Sequence, residues 1–487
     1  MKVFLLIALL LSGTTLWSQG VVGTVTDLVI DQPSDSAYAV HSSIQPAIRM
    51  ADPRMTLLPP GFRTKADPEN RTNFFGIRLL PDLAAHYDTS LFYRAAAGFS
   101  LEALYKAKFY VRAGATVGWS TREGMHQTHT AFLPLHNRSE YLYTDIRARI
   151  AYTPNRMLHV SAGIDNQFFG QGARSLIQGN QVAPNPFAMM RVNVWHLEYG
   201  LLYQFFHENN VPLQRRDWKF AATHYLSWNV TKKWNIALFE TVLFQPKDST
   251  FNRAFEVEYL NPIVFFRPQE YSIGSSDNVL LALQTSYTFK KHTLYAQLSL
   301  DEFVLSEIRA KSRWWANKYG AQLGIKGTLA ANYRYRLEGN VVRPYTYAHI
   351  TSGQNYGNLG HPLGHPMGSN FAEILAELHY SGQQLLTWKA YAVFQLQGLD
   401  EGTISWGGNI YESYTKRPMD YGHTIGQGIT MRTIRLGCEV AYQLPAGNMK
   451  VYIDPQIAYR WGDLSARITP VVTAGFRSDL FGERRRF

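Results

Sequence analysis

Trp218-Lys219-Phe220-Ala221-Ala222-Thr223-His224-Tyr225-Leu226-Ser227-Trp228-Asn229-Val230 is the stretch that decides the fold, because its residues sort by parity. Trp218, Phe220, Ala222, Leu226, Trp228 and Val230 are apolar, with His224 the one polar residue among them, while Lys219, Thr223, Tyr225, Ser227 and Asn229 alternate with them. Successive side chains of an extended chain point to opposite faces, so this segment has one greasy face and one wet face. It outlasts the usual soluble strand of about 5–6 residues and matches the ~9–11 that a tilted strand needs to cross a bilayer. A helical reading would spread lysines, glutamates and arginines over every face.

The period recurs along the chain. Trp234, Ile236, Leu238, Val242 and Phe244 form one such face, interrupted by Glu240. Leu294 to Leu300, Leu386 to Leu396, Ile434 to Leu444 and Val451 to Trp461 repeat it. The connections fall into two lengths. Short turns lie at 106–108, 153–156, 231–233, 290–292, 382–384 and 445–448; long polar loops lie at 121–141, 167–187, 245–276, 304–314, 346–370 and 398–430. A soluble β-sandwich shares the alternation but has no reason to segregate its loops. Short turns on the periplasmic side and long loops outside are the pattern of an all-β, transmembrane, antiparallel outer-membrane β-barrel. The count comes to about 18 strands (16–18), a size that leaves an aqueous lumen. The wet faces would place Lys219, Glu373, Glu377, Lys389, Arg435, Glu439, Asp454 and Arg460 inside, and their mixed signs predict a bonded, partly blocked interior.

Composition agrees. The chain has 29 Tyr, 27 Phe and 11 Trp, yet only 17% charged residues, against about 25% in ordinary soluble domains. Its mean hydropathy of −0.21 is not that of a bulk hydrophobic protein. Aromatic girdles around an apolar exterior and a polar interior account for both. A single cysteine, Cys438, excludes an intramolecular disulfide framework. The net charge of +11 favours anionic neighbours. Its cations are scattered rather than clustered, so no nucleic-acid patch is expected.

Three segments follow. Met1-Lys2, the apolar run Val3–Leu11 and the small polar residues after it make residues 1–19 an expected signal peptide, too short in its apolar part to span a bilayer. Residues 20–72, with six prolines, are expected as an N-terminal periplasmic or plug segment. Residues 73–487 are expected as the barrel, ending in Phe487, as outer-membrane barrels commonly end in an aromatic that the barrel assembly machinery reads.

Chemistry-bearing residues are few. No Gly-x-Ser-x-Gly elbow is present, and His224 and Ser227 fall on opposite faces of one strand, so no catalytic residue is assigned. His361 and His365 are four apart, but the prolines and glycines around them forbid a helix, so neither a metal nor a cofactor is expected. The stretch is expected instead as a rigid turn over the barrel mouth. Trp314 and Trp315, flanked by Arg313 and Lys318, are the candidate saccharide contacts: aromatic rings stack on sugars, and guanidinium forks bind carboxylates. An interfacial girdle is the alternative for both tryptophans. Arg267 and Glu270 are candidate ligand contacts too, or an ion pair pinning the long 245–276 loop as a plug.

Several stretches carry a resemblance. Asp165-Asn166-Gln167-Phe168-Phe169-Gly170-Gln171-Gly172 with Arg174-Ser175-Leu176 is one. Tyr259-Leu260-Asn261-Pro262, Phe266-Arg267-Pro268 with Glu270, and Gly274-Ser275-Ser276-Asp277-Asn278 are the most specific. Trp314 to Gly320, Arg343-Pro344-Tyr345-Thr346-Tyr347, His365-Pro366-Met367-Gly368 and Phe476 to Phe481 add to it. Together they resemble the gliding-motility protein RemB-like group of Bacteroidetes, within the capsule assembly protein Wzi family. The resemblance covers most of residues 70–487. It implies an 18-stranded outer-membrane barrel without catalysis, tied to the assembly or attachment of an anionic surface polysaccharide, or to adhesion and gliding. Rival expectations are a porin-like channel and an outer-membrane hydrolase. The expected surroundings are outer-membrane lipid, with a monomer favoured.

Overall fold

The computed structural model describes residues 41, 44–45, 74–106, 108–121, 131–135, 140–207, 218–246, 277–381, 385–444 and 449–478. They form a closed antiparallel barrel of 18 strands. β1 comprises Phe74–Leu79 and Asp82–Tyr87. Pro81, with no N–H to give, splits β1 without shifting its register, since both pieces pair with the next strand in one ladder. Then follow β2 Leu91–Tyr105, β3 Phe109–Ser120, β4 Glu140–Tyr152, β5 Leu158–Asp165 and β6 Asn185–Val194. β7 is Leu197–His207, β8 Trp218–Asn229, β9 Trp234–Phe244, β10 Asn278–Phe289, β11 His292–Glu302 and β12 Lys318–Ala330. β13 is Tyr333–Val342, β14 Phe371–Ser381, β15 Leu386–Leu399, β16 Ile429–Gln443, β17 Met449–Gly462 and β18 Arg467–Ser478. β18 closes the ring on β1, Arg477 opposite Asp82 and Val472 opposite Tyr87. Each of these 18 strands thus pairs on both sides, as a membrane-spanning sheet requires.

The parity of the sequence is the parity of the wall. On β8, Lys219, Thr223, Ser227 and Asn229 are buried inside, while Trp218, Leu226 and Trp228 are exposed outside. On β17, Val451, Ile453, Ile457 and Tyr459 face out and Tyr452, Asp454 and Ala458 face in. The two breaks in the outer face meet: His224 stands opposite Glu240, and its ring bonds the Tyr199 hydroxyl at 3.0 Å. His224 lies mid-strand, within the wall.

Inner-face tyrosines use glycine to lie flat. Tyr143, Tyr225, Tyr295 and Tyr391 each face a glycine on the neighbouring strand: Gly118, Gly200, Gly324 and Gly437. A Cβ on Gly324 would stand 2.3 Å from the Tyr295 ring. The missing side chain lets three of these rings reach an acid beyond, Tyr225 to Glu198 at 3.0 Å, Tyr295 to Glu338 at 2.8 Å and Tyr391 to Asp454 at 3.4 Å.

Two rims result. The turns at 153–157, 195–196, 230–233, 290–291 and 331–332 make one short. The other carries the segments 166–184, 303–317, 343–370 and 400–428. The core lies in the bore, where two buried clusters, one around Leu176, Val342, Tyr347 and Phe371 and one around Ile44, Phe169, Phe187 and Phe239, fill the inside of the wall.

Candidate functional site

Both clusters are centred on one segment, 166–184, which leaves β5 at the long-loop rim and folds into the lumen. Asp165, at its root, accepts from Arg112 at 2.8 Å and Arg149 at 3.0 Å. Gln297 on β11 donates to the Phe169 carbonyl and accepts from the Leu176 N–H, both at 2.8 Å. On β13, the Glu338 carboxylate accepts from the N–H groups of Ala173 at 2.7 Å and Arg174 at 3.1 Å. Lys326 on β12 donates to Gln171 at 2.7 Å. Arg174 reaches Glu373 on β14 at 3.3 Å. In the ring of 18 strands, β14 lies opposite β5, so this segment crosses the full diameter of the bore. The expected plugs were 20–72 and 245–276. The described residues show the bore crossed by 166–184, and most of those two segments lies outside them. A signal was present: Arg174 is the only charged residue between Asn166 and Met190, in a segment rich in Gln and Asn. Uncharged amides can each satisfy two backbone groups when buried.

The 343–370 segment packs on this plug. Its turn Pro344–Tyr347 holds Tyr345 and Tyr347 at φ 66° and 72°. Such conformations cost non-glycine residues energy and persist where surroundings fix them. Here the Tyr347 N–H donates to Asp301 and its hydroxyl to the Leu176 carbonyl, at 2.8 and 2.7 Å. Gly179 donates to the Leu363 carbonyl at 2.7 Å. Lys219 Nζ donates to the Asn355 carbonyl at 2.9 Å. His365 is fully buried, 2.9 Å from Glu373; burial lowers its pKa from the ordinary value, against the pull of Glu373. Burial, with Lys318 nearby, pushes His349 down to about 4. The His361/His365 stretch packs against the plug and the inner wall, and no group of metal-ligating side chains occurs among the described residues. Three resemblance-bearing stretches, 165–176, 343–347 and 365–368, are thus brought into one packed region.

The candidate saccharide residues divide. Lys318 is fully buried, bonded to Glu302 at 2.9 Å and to the Ala348 carbonyl at 3.2 Å. The Trp315 ring is covered by the Arg417 guanidinium at 4.1 Å and by Tyr414 at 4.7 Å, and the Trp315 backbone N–H donates to the Asp420 carbonyl at 2.9 Å. Trp315 thus pins the 303–317 segment to 400–428, and Lys318 ties β11 to 343–370. Trp314 is half-buried beside Trp315, and Arg313 is exposed in a positive-φ conformation. Arg267 and Glu270 lie outside the described residues.

At the short-turn rim, His41 bonds Ser227 at 2.7 Å, and Ile44–Gln45 pairs with Phe168–Phe169 of the plug. Ser227 is fully buried and also accepts from Asn235 at 2.8 Å, a structural joint rather than an exposed nucleophile.

Strand number, closure and loop asymmetry define the class: an outer-membrane-type β-barrel with an internally braced lumen. Among solved structures, one described as Wzi, an outer-membrane protein involved in group 1 capsule assembly in Escherichia coli and a carbohydrate-binding β-barrel, is similar at TM-score 0.53 and 13% identity, covering 82% of this chain and 83% of that one. OprD of Pseudomonas aeruginosa gives a TM-score of 0.45 at 10% identity, over 82% and 94% of the two chains. OccAB1 of Acinetobacter baumannii gives 0.43 at 9%, over 84% and 96%. No family model and no curated protein sequence matches.

Proposed function

We propose that the chain resides in an outer membrane, exported by residues 1–19, and serves there as a non-enzymatic scaffold for an anionic surface polysaccharide, in capsule assembly or attachment or in adhesion and gliding. The observation that carries this reading is the segment 166–184, bonded from β5 to the opposite wall at β14. A bonded strut across the bore narrows any path through it and gives the outer loops a rigid platform. The strut supports 343–370, which in turn supports 303–317 and 400–428 at the outer rim. The carbohydrate-binding barrel of similar fold and the resemblance to the RemB-like group of Bacteroidetes support the same reading. Arg313 and Trp314 are the loop residues this reading assigns to the saccharide, with Trp315 and Lys318 beneath them as braces and Arg267 and Glu270 as further contacts. The test is deletion of the gene with capsule retention and cell spreading scored together. Loss of either supports the proposal, and wild-type behaviour in both overturns it.

A further inference from the structure

Cations elsewhere on the inner wall meet acids or, like Lys219 and Lys326, carbonyl and amide oxygens. Arg336 meets Glu377 at 3.0 Å, Lys389 meets Glu377 at 2.6 Å and Arg477 meets Glu439 at 3.0 Å. Three arginines on adjacent strands depart from this rule. Arg435 on β16, Arg460 on β17 and Arg467 on β18 share the inward parity of Thr433, Asp454 and Thr473. Arg460 stands directly opposite Arg467, and Arg435, opposite Ala458, is its diagonal neighbour. Among the described residues no carboxylate lies within ion-pair distance of any of the three. Asp463, the nearest acid along the chain, accepts instead from the Thr430 N–H at 2.8 Å. Arg460 and Arg467 are exposed, at the long-loop end of the wall, where β17 ends and β18 begins.

Like charges placed directly opposite on a ladder repel. Neighbouring strands lie only about 4.8 Å apart, so all three guanidinium groups come within reach of one polyanionic segment. A guanidinium presents a planar fork that matches a carboxylate with two parallel bonds. We infer that Arg435, Arg460 and Arg467 form an anion site at the outer mouth of the lumen that takes the carboxylates of an acidic saccharide. The anion chemistry stands on the arginines alone; its assignment to a saccharide rests on the reading given under Proposed function.

The test is calorimetric titration of the detergent-purified full chain with trigalacturonate, maltotriose and inorganic phosphate. Trigalacturonate is expected to bind at least tenfold more tightly than maltotriose, and to weaken as salt is raised. The Arg460→Gln/Arg467→Gln double variant is expected to lose that preference by tenfold or more while melting no lower than wild type, because a repulsion has been removed; Arg435→Gln is the second variant. Unchanged trigalacturonate binding in the variants, or no binding by wild type, overturns the site. Maltotriose bound by wild type as tightly as trigalacturonate overturns the arginine site while leaving the polysaccharide reading intact. Phosphate bound as tightly as trigalacturonate, and lost in the variants, keeps an anion site but overturns its assignment to a saccharide.

Discussion

At the scale of single residues, the account turns on polar groups that have somewhere to go. Glu338 takes two N–H groups of the plug, the Tyr295 hydroxyl and the Asn340 amide. Glu338→Ala leaves those donors buried without a partner, at a cost on the order of 3 kcal/mol. Hydrogen exchange at residues 170–178 should accelerate while the strands stay protected; unchanged exchange there contradicts the assignment. Gly324→Val drives a side chain into the Tyr295 ring, and overpacking of this kind costs roughly 1–3 kcal/mol. Its unheated band on a denaturing gel should convert to the unfolded form at a lower temperature than wild type. Lys219, Glu373, Glu377 and Asp454 were legible as inward residues from parity alone. Their partners were not, because parity gives a face and not the distant residue that folds against it. The covering of Trp315 by Arg417 was illegible for the same reason: a hundred residues and two loops separate them.

At the scale of elements, the strands were legible because one physical pattern, alternation over ten or so residues, is written locally. The inward fold of 166–184 is not local. It depends on Gln297, Gln322, Glu338 and Glu373 from four later strands. The docking of 343–370 carries a pH dependence. His349 is held neutral, with its pKa pushed down to about 4 by burial, below the ordinary value near 6.5. Between those values the undocked loop binds the proton and the docked loop does not, so docking is favoured at higher pH and weakens as pH falls from about 6.5 toward 4. Protease cleavage within 343–370 should quicken across that window in wild type, and His349→Gln should flatten the response. A wild-type rate that does not change with pH contradicts this.

At the scale of the whole molecule, closure of β18 on β1 pairs all 18 wall strands on both sides, and the strut from β5 to β14 turns a cylinder wide enough to conduct into a braced one. Closure was legible from strand length, loop asymmetry and aromatic content. The state of the bore was legible only as mixed charge, since the inward fold of 166–184 depends on distant strands; the segments expected as a plug, 20–72 and 245–276, lie mostly outside the described residues. The most direct measurement is planar-bilayer conductance of the purified chain beside a variant in which residues 167–183 are replaced by a short Gly-Ser turn. The account predicts a silent wild type and steady ion conductance in the variant. Equal, steady conductance in both would contradict it.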